Sequence, residues 1–217
     1  MITATGHVNM EGAPMGMTSG LRGGQDGSSR AEQTLDRAAR LFAEKGYDAV
    51  SMRDIADAVE IRSSSLYHHF SGKERILFEI CYGFQRDFNL ELVPELRAEQ
   101  PPDAAIRAAI RGQILFSSRR WPQVLVNTRE RRSLPAEQQA AINALRRQYR
   151  DAIAATIERG CEQGIFSVPD AKLAAMAILD MVNGMAHWFK PRDRRELERM
   201  ATSYGKAAVA LLGSWGR

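Results

Sequence analysis

The stretch at residues 51–75, SMRDIADAVEIRSSSLYHHFSGKER, decides the fold of this chain. Its first third carries apolar residues at the spacing of one helix face: Met52, Ile55, Ala56 and Val59. Ser51 can cap this helix, with Asp54 three positions on in a capping-box arrangement. The pattern then breaks, and a second short helix follows, in which Leu66 and Phe70 lie one turn apart on the buried side.

Two short helices joined by a tight turn describe a helix-turn-helix, a motif whose second helix enters the major groove of DNA. The second helix would show small polar and hydrogen-bonding side chains outward: Ser63, Ser64, Tyr67 and His68. The string at residues 71–74, SGKE, is typical of a capping box that opens a further helix. We therefore expect a DNA-binding head here.

A family resemblance follows from the same residues. The string IADAVEIRSSSLYHHFSGKERIL resembles the DNA-binding signature of the TetR family, in which Leu-Tyr-x-His-Phe ends the recognition helix. The likeness extends upstream through TLDRAARLFAEKGYDAVSMRDIA and covers residues 30–78. Glu60 replaces the family's usual turn Gly, at a cost of about 1–2 kcal/mol in a left-handed turn. Arg62 replaces the usual Ser or Thr cap, which leaves Ser63 as the alternative cap.

The expected DNA contacts combine residue chemistry with the family's pattern. Lys73 would add charge at a helix N-terminus, where a phosphate is already favoured. The serines and His68 would reach base edges, although Ser is a permissive reader. For Tyr67, His69 and Lys73, a structural role in the head is the alternative. The full prediction comprises Thr34, Ser51, Arg53, Arg62, Ser63, Ser64, Ser65, Tyr67, His68, His69 and Lys73.

Metal-dependent and enzymatic functions are disfavoured by the sequence. His68 and His69 are neighbours that diverge by about 100° on a helix, so they do not readily bind one ion together. The sequence shows no Gly-rich phosphate loop, nucleophile elbow or paired carboxylates. We predict no metal site, no cofactor and no catalytic activity.

Charge is distributed unevenly. Residues 30–75 hold eight basic and eight acidic side chains, so the head is neutral and must attract phosphates by local placement. Residues 101–150 hold ten Arg against three carboxylates, a net charge of +7. This excess favours an anionic ligand over a cationic drug, or it is a solvated helix face.

A cytoplasmic protein is expected. Cys81 and Cys161 lie far apart and have no metal-ligand spacing, which is typical of a reducing compartment. The first residues lack the pattern of a secretory signal. The most apolar stretch, residues 173–189, is short for a membrane span and contains polar residues, so we expect no membrane association.

Helical periodicity and proline positions predict an all-α chain of about nine helices. Residues 1–29, with seven of the seventeen glycines, are predicted to form a disordered tail, or an arm that touches DNA. Residues 30–76 form the helix-turn-helix head, and residues 77–217 an effector-binding and dimerisation domain. Later helices are predicted to run from about residue 71 to 94–100, 101–120, 123–132, from Pro135, from Pro169 and after Pro191.

The last two helices are predicted to form a homodimer interface. A helix-turn-helix monomer makes few contacts, whereas a dimer reads two half-sites of a palindromic operator. The family resemblance implies that these helices pair with their mates in a four-helix bundle. The alternative is that they only complete the core of one chain.

The resemblance also implies an effector cavity among helices four to eight, although its apolar members are often simply core. Its predicted lining is Phe84, Phe88, Phe116, Trp121, Val124, Asn127, Arg129, Tyr149, Asn183, His187 and Trp188. The string NGMAHWFKP, placed on helix eight, resembles the branch that senses acyl-CoA thioesters. The phosphates of such a ligand would bind arginines of the basic middle: Arg119, Arg120, Arg129, Arg131 or Arg132.

The sequence thus predicts a repressor that binds a palindromic operator as a homodimer and is released by a small molecule. An acyl-CoA of lipid or aromatic-acid catabolism is one effector. The alternatives are a drug-efflux regulator that senses a hydrophobic compound, an activator, a helical adaptor that does not bind DNA, and a helical enzyme acting on acyl-CoA.

Overall fold

The computed structural model describes residues 29–97, 99–188 and 193–214, and within them the chain forms nine α-helices and no strand. The helices are α1 Arg30–Lys45, α2 Met52–Ala58, α3 Ser63–His69, α4 Lys73–Arg97, α5 Pro102–Arg119, α6 Trp121–Arg129, α7 Ala136–Glu162, α8 Ala171–Asn183 and α9 Arg194–Ser214. The all-α prediction is confirmed. The predicted tail lies outside the described residues except for Ser29, which caps α1.

Local sequence explains where the first two helices begin and end. Ser29 and Glu32 form a capping box at α1, and the predicted box of Ser51 and Asp54 is present at α2. Gly46 follows α1 with a φ of 86°, a conformation that Gly adopts without steric cost. These caps fix where α1 and α2 start.

The turn before α3 shows how the chain accommodates its two departures from the family pattern. Glu60 has a φ of 56° and is the one residue other than Gly with positive φ in the described part of the chain. Arg62 occupies the N-cap of α3 and makes no capping hydrogen bond through its side chain. The recognition helix therefore begins at Ser63, which lies in its first turn rather than at its cap.

The hydrophobic core of the head draws on residues far along the chain. Phe42, Ile55 and Leu66 are buried together in it. The same cluster includes residues from α6 to α7, which complete it from the other side: Val126, Leu134 and Ile142. Helix α6 thus packs directly on α1 and belongs to the head core as well as to the body.

The body is a bundle in which α5 packs along α9 and α7 lies between α4 and α8. Contact between α5 and α9 is close, because a Cβ at Gly205 would lie 2.9 Å from the carbonyl oxygen of Arg107. No described helix combines the length and hydropathy that a bilayer span requires.

Helix α8 ends earlier than expected. The sequence placed NGMAHWFKP on the eighth helix, but that helix ends at Asn183 and a 3-10 helix follows at Gly184–His187. The tight 3-10 turn closes with the Trp188 backbone N–H donating to the carbonyl of Met185. Gly184 has low helix propensity, which favours the change at this position.

Candidate functional site

Helix α3 presents most of its side chains to solvent. Leu66 is its one buried residue, and Phe70 anchors the chain directly after it. The exposed side chains are Ser64, Ser65, Tyr67, His68 and His69, while Ser63 is half-buried. Tyr67 keeps 54% of its surface exposed, so it does not simply cover the core. The helix therefore offers a polar ridge of the width that a major groove admits.

Around α3 the predicted contact residues divide into two groups. Arg53 and Arg62 are exposed beside the ridge, and Ser51 is exposed at the start of α2. Thr34 is 2% exposed, and its hydroxyl donates to the carbonyl of Arg30 at 2.8 Å. That hydroxyl is thus used inside α1 and does not reach the surface of the head.

Lys73 joins two parts of the head. Its ammonium group donates to the carbonyl oxygens of Tyr47 at 2.8 Å and Asp48 at 3.3 Å. It also lies 4.3 Å from the centroid of the Tyr47 ring, within cation–π range. Burial raises the pKa of Tyr47, with Glu74 and Asp48 adding to the shift. Lys73 therefore holds the loop between α1 and α2 against the start of α4.

A cavity of about 910 Å³ lies among α4 to α8. The predicted ligand residues that line it are Phe84, Phe88, Trp121, Val124, Asn127, Tyr149 and Asn183. The structure does not bring Phe116, Arg129 or Trp188 to it. Phe116 is buried behind the aromatic wall, Arg129 is exposed elsewhere and Trp188 is 58% exposed. The side chain of His187 lies outside the described part of the structure.

One end of the cavity is aromatic. The Phe88 ring packs edge-on against Tyr149 at 4.8 Å between centroids and against Phe116 at 5.4 Å. Phe84 contacts the same Phe116 ring at 5.5 Å. The Tyr149 hydroxyl is buried without a hydrogen-bond partner, and burial raises its pKa. This end can hold an apolar group and offers one free hydroxyl.

Amide side chains form a polar wall that the sequence only partly indicated. Gln113 donates to Oδ1 of Asn183 at 3.2 Å, and Asn127 donates to the carbonyl of Cys81 at 3.5 Å. The carbonyl oxygens of the Gln113 and Asn127 side chains are buried and accept no hydrogen bond. Buried acceptors of this kind are costly unless something donates to them. A ligand with a hydroxyl or amide N–H would satisfy them.

Two arginines line the cavity, and one of them was not predicted. Arg131 donates to Oδ1 of Asn143 at 2.9 Å. Arg146, from α7, was missed because an Arg-rich helix gives no sign of which Arg faces inward. The pKa of Arg146 is lowered, first by burial and then by the charge of Arg131, and Asp180 opposes the shift. By surface area the Arg146 side chain is nonetheless exposed, and it lines the cavity.

The remaining arginines of the predicted phosphate set lie elsewhere. Arg119 pairs with Glu91 at 2.5 Å and Arg120 with Asp87 at 2.7 Å. Arg132, like Arg129, is exposed and does not line the cavity. Only Arg131 of that set therefore faces the interior space.

Family models match both parts of the chain. Residues 35–80 match the model described as bacterial regulatory proteins, tetR family. Residues 99–212 match the model described as tetracyclin repressor-like, C-terminal domain. Together these matches span the recognition helix and most of the residues that line the cavity.

Characterised relatives agree with these matches. The chain is 30% identical over 179 residues to the HTH-type transcriptional repressor KstR2 of Rhodococcus jostii, covering 82% of this chain and 88% of that one. Its fold matches PfmR, a TetR family regulator of Thermus thermophilus, with a TM-score of 0.77, 32% identity and coverage of 82% and 97%. AibR, solved with isovaleryl coenzyme A and operator DNA, matches with a TM-score of 0.74, 30% identity and coverage of 85% and 98%. The chain belongs to the TetR family of bacterial transcriptional regulators.

Proposed function

We propose that this protein is a repressor that binds a palindromic operator as a homodimer and releases it when a small molecule occupies the cavity. One observation carries the proposal: α6 belongs to both sites. Its residues Trp121, Val124 and Asn127 line the cavity, while Val126 is fully buried in the core of the head. A ligand that displaces α6 must therefore disturb the packing of the head.

The recognition surface is the exposed ridge of α3. Ser64, Ser65 and His68 are the proposed base readers, and Tyr67 and Arg62 the proposed phosphate contacts, because phenol and guanidinium donors suit phosphate oxygens. Ser51, Arg53, Ser63 and His69 extend the same surface. Because Thr34 is buried, it would act through the position of α1 rather than by direct contact.

Exposed apolar and small side chains on α8 and α9 support dimerisation through these two helices. Leu173 and Met176 on α8 keep 53% and 48% of their surface exposed. Helix α9 exposes Leu211 and, besides four basic residues, a stripe of small residues that allow close helix packing: Ser203, Ala207, Ala210 and Ser214. We expect light scattering to give twice the chain mass, and Ala207→Arg to give monomers that bind a single operator weakly.

The effector class that the cavity supports best is an acyl-CoA thioester or a related amphipathic acid. The aromatic end suits an acyl group, and the AibR structure contains isovaleryl coenzyme A. A hydrophobic drug is the second candidate, and a helical enzyme acting on acyl-CoA is the third. Thermal-shift measurements with acyl-CoA esters and with cationic dyes separate the first two, and assays for thioester turnover test the third.

The central experiment is a mobility-shift assay with the DNA upstream of the protein's own gene at low ionic strength. We expect a specific complex, and mass spectrometry of the molecule that co-purifies with the protein supplies a candidate effector. Adding that molecule should release the DNA. A protein that ignores this DNA, or one that binds it equally with the cavity filled, contradicts the proposal.

A further inference from the structure

The two cavity arginines differ from Arg119 and Arg120 of the same basic segment. Arg119 and Arg120 are neutralised by carboxylates. Among the described residues, neither Arg131 nor Arg146 forms an ion pair within 4 Å, although Asp180 acts on Arg146 at longer range. Among the described residues, two cations thus line one cavity without an ion pair within 4 Å, although the Asp180 carboxylate lines the same cavity.

The position of Arg131 is fixed in advance. Its Nη1 donates to Asn143, and its Nε is buried without a hydrogen-bond partner. Asn143, Arg146 and Tyr149 are spaced three residues apart on α7. The side chain that holds Arg131, the second guanidinium and the unpaired Tyr149 hydroxyl therefore lie on one side of this helix. Two buried donor groups without a hydrogen-bond partner, the Arg131 Nε and the Tyr149 hydroxyl, thus belong to residues that line the cavity together with the exposed Arg146.

An anion resolves the energetic conflict at this wall. The positive charge of Arg131 and partial burial both disfavour the charged form of Arg146. Because Arg146 is exposed, water already solvates part of its charge, and a bound anion would offset the remaining repulsion from Arg131. Guanidinium groups bind carboxylates and phosphates through paired N–H donors, and the cavity is lined by two of them.

We propose that Arg131 and Arg146 form an anion-binding subsite inside the cavity, which seats a carboxylate or phosphate group of the effector. The Tyr149 hydroxyl donates to the same group, and the apolar part of the effector lies against Phe84 and Phe88. This inference rests on the proposed function and deepens it, because it assigns anion recognition to the cavity wall rather than to the exposed arginines.

The test compares two fluorescent probes that differ by one anionic group: anilinonaphthalene sulfonate and its uncharged analogue phenylnaphthylamine. We expect the wild-type protein to bind the sulfonate about tenfold more tightly or better, since hydrogen bonds to charged groups contribute about 1.5–3 kcal/mol. Arg146→Gln and Arg131→Gln should remove most of that preference and leave phenylnaphthylamine binding unchanged. Arg132→Gln, at an exposed position outside the cavity, is the matched control.

Competition against the bound sulfonate identifies the source of the anion. Isovalerate, inorganic pyrophosphate and isovaleryl coenzyme A represent a carboxylate, a phosphate and a thioester that carries phosphates. If any of them displaces the sulfonate from the wild type but not from Arg146→Gln, the result supports the subsite and identifies the group that it binds. Equal binding of the two probes to the wild type, or an equal loss in Arg132→Gln, overturns it.

Operator binding by the same variants separates this inference from the proposed function. If wild type and variants all bind operator DNA normally but none of them prefers the sulfonate probe, the subsite is wrong and the repressor proposal stands. If the preference for the sulfonate depends on Arg146 but neither the wild type nor any variant binds the DNA, the subsite stands and the repressor proposal fails. Normal operator binding by Arg146→Gln also shows that the variant is folded.

Discussion

The side-chain amide of Gln123 on α6 donates a hydrogen bond to Oδ1 of Asp36 on α1, across 3.3 Å. This contact crosses from a helix of the cavity wall to a helix of the head. It lies beside the buried Val126, so a polar link and an apolar link join the same two helices. Displacement of α6 would strain both links together, which makes α6 the proposed transmitter of the effector signal.

Gln123→Glu should imitate the effector. A carboxylate at this position would face Asp36, and like charges in a partly buried contact repel. We expect operator affinity without effector to fall severalfold, as measured by fluorescence anisotropy. Gln123→Ala removes the hydrogen bond without adding repulsion, so its operator affinity should fall less. Unchanged affinity in Gln123→Glu would show that α6 does not govern the head.

Lys73→Ala should lower both stability and DNA binding. The variant loses two hydrogen bonds to the loop after α1 and a cation–π contact, which together stabilise the head by about 1–3 kcal/mol. If Lys73 also contacts a phosphate, the slope of log affinity against log salt should flatten by about one unit. Chemical denaturation measures the first effect and a salt titration the second. Lys45→Ala, exposed at the end of α1, is the control. A stability loss without a change of slope would leave Lys73 a purely structural residue.

Sequence reasoning succeeded where local rules decide the structure. The capping box of Ser51 and Asp54 and the left-handed turn at Glu60 depend on neighbours within a few residues. Local pattern located the capping box, and the family's usual turn Gly located the turn. The cavity depends on which side of a long helix faces inward. Helix α7 carries Arg146, Arg147 and Arg150 in one short run, and only packing against α8 shows that Arg146 borders the cavity.

Thr34 illustrates the limit of reasoning by family position. The family resemblance suggested a DNA contact for Thr34, near the start of α1, but its hydroxyl donates to the Arg30 carbonyl inside the helix. A Thr one turn after a carbonyl commonly bonds backward in this way. Helix α8 departs for a different reason, because its 3-10 end depends on local turn closure that apolar periodicity does not report.

Glu60→Gly should stabilise the head. Glu60 adopts a φ of 56°, which costs roughly 1–2 kcal/mol for a residue with a side chain. Gly removes this strain, but its greater conformational entropy in the unfolded chain offsets part of the gain. We expect a net gain of about 0.5–1 kcal/mol in the free energy of unfolding. Glu60→Ala removes the carboxylate but keeps the strain, so it should give no such gain. Equal stability of the Gly and Ala variants would contradict a strained turn.

The thiol of Cys81 should make the protein sensitive to alkaline pH. Burial raises the pKa of Cys81 from 9.0 to about 12. The unfolded chain therefore ionises first, and the stability of the native state falls as pH rises from about 9 to about 12, by at most about 1.4 kcal/mol per pH unit. Between pH 9 and 10, urea unfolding of Cys81→Ala should show a shallower decline than that of wild type. Parallel slopes would mean that the native thiol ionises freely.

Gly160→Ala should damage the body of the protein. A Cβ at Gly160 would lie 2.1 Å from the ring of Phe166, a side chain that is 4% exposed and fixed by its own backbone N–H bonding back to the Gly160 carbonyl. Since the ring cannot move away without leaving the core, we expect a loss of about 1–3 kcal/mol in urea unfolding.

Gly83→Ala is the matched control, because a Cβ there meets no atom within 4 Å and Ala favours a helix interior by about 0.5–1 kcal/mol. The two substitutions add the same methyl group to two helices, so their difference isolates packing from helix propensity. Gly83→Ala should therefore gain stability where Gly160→Ala loses it. If both variants gained stability, the Phe166 ring would have to rotate out of the core, and the contact between the end of α7 and the chain leading into α8 would be loose enough to yield.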